Sequence, residues 1–353
     1  MKSDNLYIGD NFINKKAYPN TRYMGSKFKL IPHINKVLEK YTKVQTVLDA
    51  FGGSGCISYL LKNRGYEVTT NDFLTFSYQI SKAVIENNNV ILDKKDIENL
   101  IKPNKNKKNF ISETFEGLYF SAEDNQFLDN LWSNIQMLDN EYKKALAFAS
   151  AHRACLKKRP RGIFAYTGFR YDDGRRDIQI SLQQQFLEAV NGWNSVVFDN
   201  KKKNKALNQD VFEIKKNDFD LVYFDPPYVS SKSDNDYTRR YHFLEGFSSY
   251  WKNDKIDFGT KTKKIKSKKT DFSTKNTIYD AFDRLFNKFK NSIIILSYYS
   301  NGIPNKDELI SILGKYKKNV EIVEVDYSYS FGTHGHKIGN VNNRVKEYLI
   351  IGV

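Results

Sequence analysis

Leu221-Val222-Tyr223-Phe224-Asp225-Pro226-Pro227-Tyr228 is an apolar run that ends in a carboxylate, a rigid two-proline step and an aromatic ring. The apolar half reads as a strand buried on both faces, as in a parallel sheet covered by helices. In such a sheet ligands bind beyond the carboxyl ends of the strands, and two prolines fix two successive φ angles so that the carbonyls there point in set directions. The expectation is a cleft that holds a flat heterocycle. An ordinary strand followed by a proline turn is the plainer alternative; the tyrosine directly after the prolines, and a second motif upstream, weigh against it.

That second motif is Val47-Leu48-Asp49-Ala50-Phe51-Gly52-Gly53-Ser54-Gly55, a strand running into a glycine loop and then into a helix that starts near Cys56. Glycines there let a ligand approach the backbone closely. A dinucleotide fingerprint needs a third glycine, but counted from Gly53 its place is taken by Ser58, so the loop suits a nucleoside cofactor better than a pyrophosphate. Asp72 ends the next candidate strand about 20 residues on, where a carboxylate can accept both ribose hydroxyls of an adenosine. Its alternative role is a helix N-cap for Phe73 onward.

Around these motifs, β-rich runs alternate with helical patterns, which predicts an α/β fold: a mostly parallel, Rossmann-like sheet with helices on both faces. The candidate strands are 46–50, 67–71, 220–225, 292–298, 320–327 and 346–352, and the candidate helices 29–41, 55–63, 75–87, 277–289 and 306–317. Between residues 86 and 204 the rhythm breaks into an Asn/Lys-rich stretch and two helical patterns, the first opening with the capping spacing Ser121 to Asp124. The expected organisation is a core from 1–85 and 205–353 with an inserted, mainly helical domain at 86–204.

The 353 residues can bury a core without disulfides, and two cysteines, Cys56 and Cys155, are too few for a framework or a metal site. No leader pattern and no apolar run of about 20 residues occurs, so a cytoplasmic protein with no membrane partner is expected. The formal net charge is +15, from 56 Lys and Arg against 41 Asp and Glu, which points to a polyanionic partner. The excess is patchy: residues 142–204 hold 7 Lys and 6 Arg against 5 acids, and 239–275 hold 9 Lys and 2 Arg against 4 acids. Basic blocks interleaved with aromatic residues read as phosphate contacts plus stacking surfaces. His334-Gly335-His336 is set aside as loop, since two histidines without nearby Cys or paired carboxylates make a poor metal site.

The chain resembles the Dam-like, alpha-group N(6)-adenine DNA methyltransferases, over most of its length and in motif order. The opening motif stands as Tyr23-Met24-Gly25-Ser26-Lys27, the cofactor loop as Asp49 to Gly55, the acidic ribose ligand as Asp72 and the catalytic tetrad as Asp225-Pro226-Pro227-Tyr228. Ser26, in place of a second glycine, and Gly52, where many relatives carry a larger residue, depart from the pattern without removing a group the site needs. The resemblance implies S-adenosyl-L-methionine as cofactor, bound by Tyr23, Lys27, Asp49, Phe51, Gly52, Gly53, Gly55, Asp72, Asp210 and Asp225. It also implies double-stranded DNA as substrate, a target-recognition role for the insert, no metal, and a place as the modification enzyme beside a cognate restriction endonuclease.

Chemically, the exocyclic nitrogen of adenine is a poor nucleophile because its lone pair is delocalised into the ring. Asp225 and the Pro226 carbonyl would each accept one amino hydrogen and localise that pair for in-line attack, and Tyr228 would stack on the extruded base. No Pro-Cys pair exists, which disfavours attack on carbon 6 of cytosine. Contacts to DNA are expected from Lys157, Lys158, Arg159, Arg161, Arg170, Arg175 and Arg176, and from Arg239, Arg240 and Tyr241 in the segment after the tetrad. Three other readings stay open: an N(4)-cytosine enzyme, an RNA amino-group methyltransferase, and an inactive DNA-binding homologue.

Overall fold

The computed structural model describes residues 12–168, 172, 174–229, 236–252, 254–328 and 344–353. Seven strands form one sheet: β1 (Thr46–Asp49), β2 (Glu67–Asn71), β3 (Lys205–Leu207), β4 (Leu221–Phe224), β5 (Ile293–Tyr299), β6 (Val320–Ser328) and β7 (Arg344–Gly352). Their spatial order is β3-β2-β1-β4-β5-β7-β6. The first five pair in parallel, with Leu48 opposite Val222 and Val222 opposite Ile294, while β7 runs antiparallel between β5 and β6. All four residues of β4 are buried, as its unbroken apolar pattern requires.

Six of the seven strands lie where sequence periodicity puts them, with ends shifted by a residue or two. β3 escaped that reading because it is three residues long and follows a lysine-rich run. The helix expected over 75–87 is α-helical only for Thr75–Ser81 and loosens into a π turn at Lys82–Glu86. Lys62 Nζ caps that turn by donating to the carbonyls of Val84 and Asn87 at 3.1 and 2.7 Å. The helix expected over 306–317 stops at Gly314.

Between β2 and β3 lie the helices Lys94–Ile101, Ala122–Gln136, Glu141–Lys158 and Leu182–Ser195. Ser121 starts the second by accepting the Asp124 N–H at 3.2 Å, so the capping signal marks a real helix start. The helix Glu141–Lys158 is buried nearly all round, through Ala145 to Ala149 and Ala151 to Leu156 with few breaks. It packs against Leu182–Ser195 on one side and Thr75–Ser81 on the other. One apolar cluster joins Leu60 and Val68 beside the sheet to Leu146, Phe186 and Trp193, where Trp193 meets the Tyr18 ring edge-on at 5.4 Å.

Candidate active site

The loops after β1, β2 and β4 open at the same edge of the sheet. The cavity between them has Phe51, Gly53, Asn71, Asp72 and Asp210 on one wall and Asp225 to Tyr228 on another. Tyr23, Gly25 and Lys27 from the chain before β1 complete it. The two motifs are thus brought into one pocket, because β1 and β4 are neighbours although about 170 residues separate them.

Its glycine loop is tied to the acidic residue after β2. Asp72 accepts the Gly53 N–H at 2.7 Å and the Leu74 N–H at 2.8 Å, so it ties the glycine loop to the turn before the helix Thr75–Ser81 while forming a wall of the cavity; the N-cap of that helix is Leu74, not Asp72. Burial pushes its carboxyl up to about 7, against these two hydrogen bonds. Asp49 lies beneath the loop, accepts the Ser58 hydroxyl at 2.6 Å, and is also pushed up to about 7 by burial. It lines a small adjoining recess with Gly52 and Lys27. Gly55 reaches neither space; it starts the helix Cys56–Asn63 at φ +77°, and a Cβ there would meet the Tyr18 hydroxyl at 2.5 Å.

Around the tetrad the geometry is more connected than the motif suggests. Lys27 Nζ lies 2.9 Å from Asp225 Oδ1, donates to the Gly25 carbonyl at 2.9 Å, and sits over the Tyr228 ring at 4.7 Å from its centre. Burial opposes its charge, but Asp225 and Glu347 outweigh this and hold the ammonium well above the usual lysine range. Burial pushes the Asp225 carboxyl up, and the Lys27 ammonium offsets part of that. The Tyr228 ring stacks on Tyr299 at 4.6 Å and 12°, and its hydroxyl bridges Asp225 Oδ1 at 3.0 Å and Glu347 Oε2 at 3.2 Å.

Glu347 is the site residue that sequence reasoning missed. It is fully buried in β7, where it pairs with Tyr299. Flanked in sequence by Lys346 and Tyr348 it reads as an ordinary polar strand position, and only the antiparallel insertion of β7 beside β5 turns it toward Tyr228. Tyr237 is the second addition, stacked on Tyr23 at 6.0 Å on the rim of the cavity.

Residues 23–312 match the family of D12 class N6 adenine-specific DNA methyltransferases. The chain belongs to that family. It is 31% identical over 332 residues to the Type II methyltransferase M2.HphI of Haemophilus parahaemolyticus, across 90% of this chain and 94% of that one. It is 30% identical over 332 residues to the modification methylase StsI of Streptococcus sanguinis, across 87% of this chain and 48% of that one. For the Type II methyltransferase M.FokI of Planomicrobium okeanokoites the figures are 28% over 320 residues, 83% and 46%, so the chain spans about half the length of these last two.

A DNA methyltransferase must present cations to phosphates, and the structure sorts those expected from sequence. Two of these cations, Arg159 and Lys158, and the expected contact Tyr241 are corrected. Arg159 is fully buried, donating to the carbonyls of Tyr119 (3.1 Å), Gly168 (2.8 Å) and Tyr166 (2.9 Å), and cannot reach a phosphate. Lys158 is also buried, donating to the Ile180 carbonyl at 2.6 Å and lying 3.4 Å from Asp124. Tyr241 is fully buried: its ring stacks on Tyr23 at 5.2 Å and its hydroxyl accepts the Met24 N–H at 2.7 Å. Lys157 pairs with Asp177 at 3.1 Å, and Arg176 pairs with Glu188 on the surface. Arg239 is exposed, while Arg161, Arg175 and Arg240 are half-buried. Arg170, His334 and His336 lie outside the described residues. Among the described residues no metal-ligating cluster occurs and no helix is long and apolar enough to cross a membrane.

Proposed function

We propose that this chain methylates the N6 amino group of adenine at a specific site in duplex DNA, using S-adenosylmethionine, as the modification enzyme of a restriction-modification system with a cognate endonuclease. The single cavity shared by the glycine loop and the tetrad carries the reading. Its walls suit that donor: Phe51, Val211 and Phe272 offer apolar surface to a ring, and Asp72 and Asp210 offer acceptors to hydroxyl and amino groups. Each carboxylate oxygen of Asp72 keeps acceptor capacity beyond its one backbone bond, and Asn71 Oδ1 is a buried acceptor with no hydrogen-bond partner. When bound, S-adenosylmethionine supplies a methyl group made electrophilic by its positive sulfur.

The chain's own part is to aim the nitrogen. Asp225 and the Pro226 carbonyl each accept a hydrogen bond from the amino group, which raises electron density on nitrogen along the line of attack, and the methylated nitrogen then loses one of its two protons to solvent. Lys27 now touches the two groups an entering base needs, the Asp225 carboxylate and the Tyr228 ring. It therefore holds the pocket charged and shaped until the base displaces it. Glu347 positions the Tyr228 hydroxyl and gives the displaced ammonium a second anion to face. We assign target recognition to the helical segment 86–204 together with exposed cations at the mouth, among them Arg239.

The deciding experiment is labelled methyl transfer: purified protein with S-adenosylmethionine and duplex DNA should yield 6-methyladenine, and base-resolved sequencing of DNA from expressing cells should map one motif. Label entering cytosine, RNA or nothing defeats the proposal. A companion variant checks Glu347: Glu347→Gln keeps the shape but removes one anion, so kcat should fall roughly tenfold, one pKa unit of interaction, with a shifted pH profile and little change in KM for DNA. An unaltered pH profile would reduce Glu347 to a packing residue.

A further inference from the structure

Beyond the pocket, one segment carries an apolar group that neither the fold nor the proposed chemistry uses. Residues 255–266 form a short hairpin: Ile256 bridges Ile265, the Asp257 N–H donates to the Lys264 carbonyl at 2.8 Å, and the Lys266 N–H donates to the Lys255 carbonyl at 2.8 Å. Its tip is closed by Asp257, whose side chain accepts the Gly259 N–H at 3.1 Å and whose carbonyl accepts the Thr260 hydroxyl at 3.0 Å. At that tip Phe258 is 66% exposed.

Single exposed apolar side chains are common on protein surfaces and need no function. Two observations set this one apart. It stands in a stretch, 255–269, with seven lysines and one acid; Lys255, Lys261, Lys266 and Lys269 are exposed, while Lys268 is already paired with Glu245 at 2.9 Å and Asp254 at 3.8 Å. The tip loop is also tied to the helical segment between β2 and β3, and the chain just beyond the hairpin reaches the pocket. Tyr119, from the segment between β2 and β3, donates its hydroxyl to the Thr262 carbonyl, and Lys263 donates to the Thr114 carbonyl, while Lys268, Thr270 and Phe272, just beyond, line the catalytic cavity. The phenyl ring is therefore held by an ordered turn, inside a positive field, on the element that leads directly into the pocket wall.

We infer that this hairpin is a DNA-contacting surface whose lysines meet the phosphate backbone and whose Phe258 ring wedges into the duplex next to the extruded adenine. Insertion of an apolar side chain between base steps offsets the lost stacking of a displaced base, and flanking cations anchor such a wedge through the phosphates. Phe258 is a positioning residue: it touches DNA but not the reacting atoms. The inference rests on the activity proposed above.

Its test separates the two. Phe258→Trp places an indole at the tip, read against the wild-type fluorescence background while sheared duplex DNA from expressing cells is added. Quenching that weakens with salt supports the wedge, and emission unchanged by duplex overturns it, whether or not methyl groups are transferred. On a duplex carrying the mapped site, Phe258→Ala should lower kcat/KM for DNA roughly tenfold, the size of one lost base–aromatic stack. The KM for S-adenosylmethionine should stay unchanged, and Phe258→Trp should restore the rate. Wild-type kcat/KM in Phe258→Ala overturns the inference, whereas wild-type protein that methylates no DNA overturns the activity and leaves the fluorescence result to decide the wedge.

Discussion

Asp225→Ala is expected to cut the single-turnover rate of methyl transfer by about a thousandfold while leaving cofactor binding within a few fold. The carboxylate is the acceptor that turns the amino group, and alanine supplies none; the Pro226 carbonyl alone holds one hydrogen and leaves the other in the ring plane. The change removes the one cofactor contact expected of Asp225, hence the few-fold margin, and leaves those on the opposite wall, Phe51 and Asp72, untouched. Equilibrium binding of S-adenosylmethionine beside rapid-quench methyl transfer separates these outcomes, and equal losses in both would refute the assignment. A pH arm belongs to the same experiment. Because burial raises the Asp225 carboxyl, its ionised form is lost on acidification earlier than for an ordinary aspartate, so the rate should fall on the acid side above the usual carboxylate range. Asp72 and Asp49, pushed up to about 7, should weaken cofactor binding over the same descent.

How far the sequence carries this argument depends on the range of the signal. Local signals were readable. Leu221–Phe224 is apolar at every position, Ser121 precedes Asp124 at capping distance, and Gly53 and Gly55 mark a turn at positive φ; each appears in the structure as a strand, a helix start and a loop. A mostly parallel sheet was readable too, and the shared pocket follows once its order sets β1 beside β4. Signals set by distant partners were not readable. Glu347 becomes part of the site only through β7 pairing with β5, and Lys27 meets Asp225 across more than half of the chain. Burial of long cationic side chains misled in the opposite direction. A run such as Lys157-Lys158-Arg159-Pro160-Arg161 looks solvated, because sequence alone does not reveal that the helix Glu141–Lys158 is enclosed and that its end turns inward.

Arg159 makes that distinction measurable. If it were a phosphate contact, Arg159→Met would weaken DNA binding and flatten its salt dependence while leaving stability alone. The structure requires the reverse. The guanidinium donates to the carbonyls of Tyr119, Ile163, Tyr166 and Gly168, from a loop that starts right after the helix and from the segment before Ser121. Tyr119 and Tyr166 also flank it, with ring centres 5.3 and 5.1 Å from Cζ. Methionine fills much of the volume but leaves those acceptors without this donor in a buried place, at about 1–3 kcal/mol for each that water cannot reach. We expect a loss on the order of 4 kcal/mol in unfolding free energy, with the denaturant midpoint lowered and the slope retained. Below the unfolding transition, the salt dependence of DNA binding should match wild type. A stable Arg159→Met protein with a shallower salt slope would return this residue to the DNA surface.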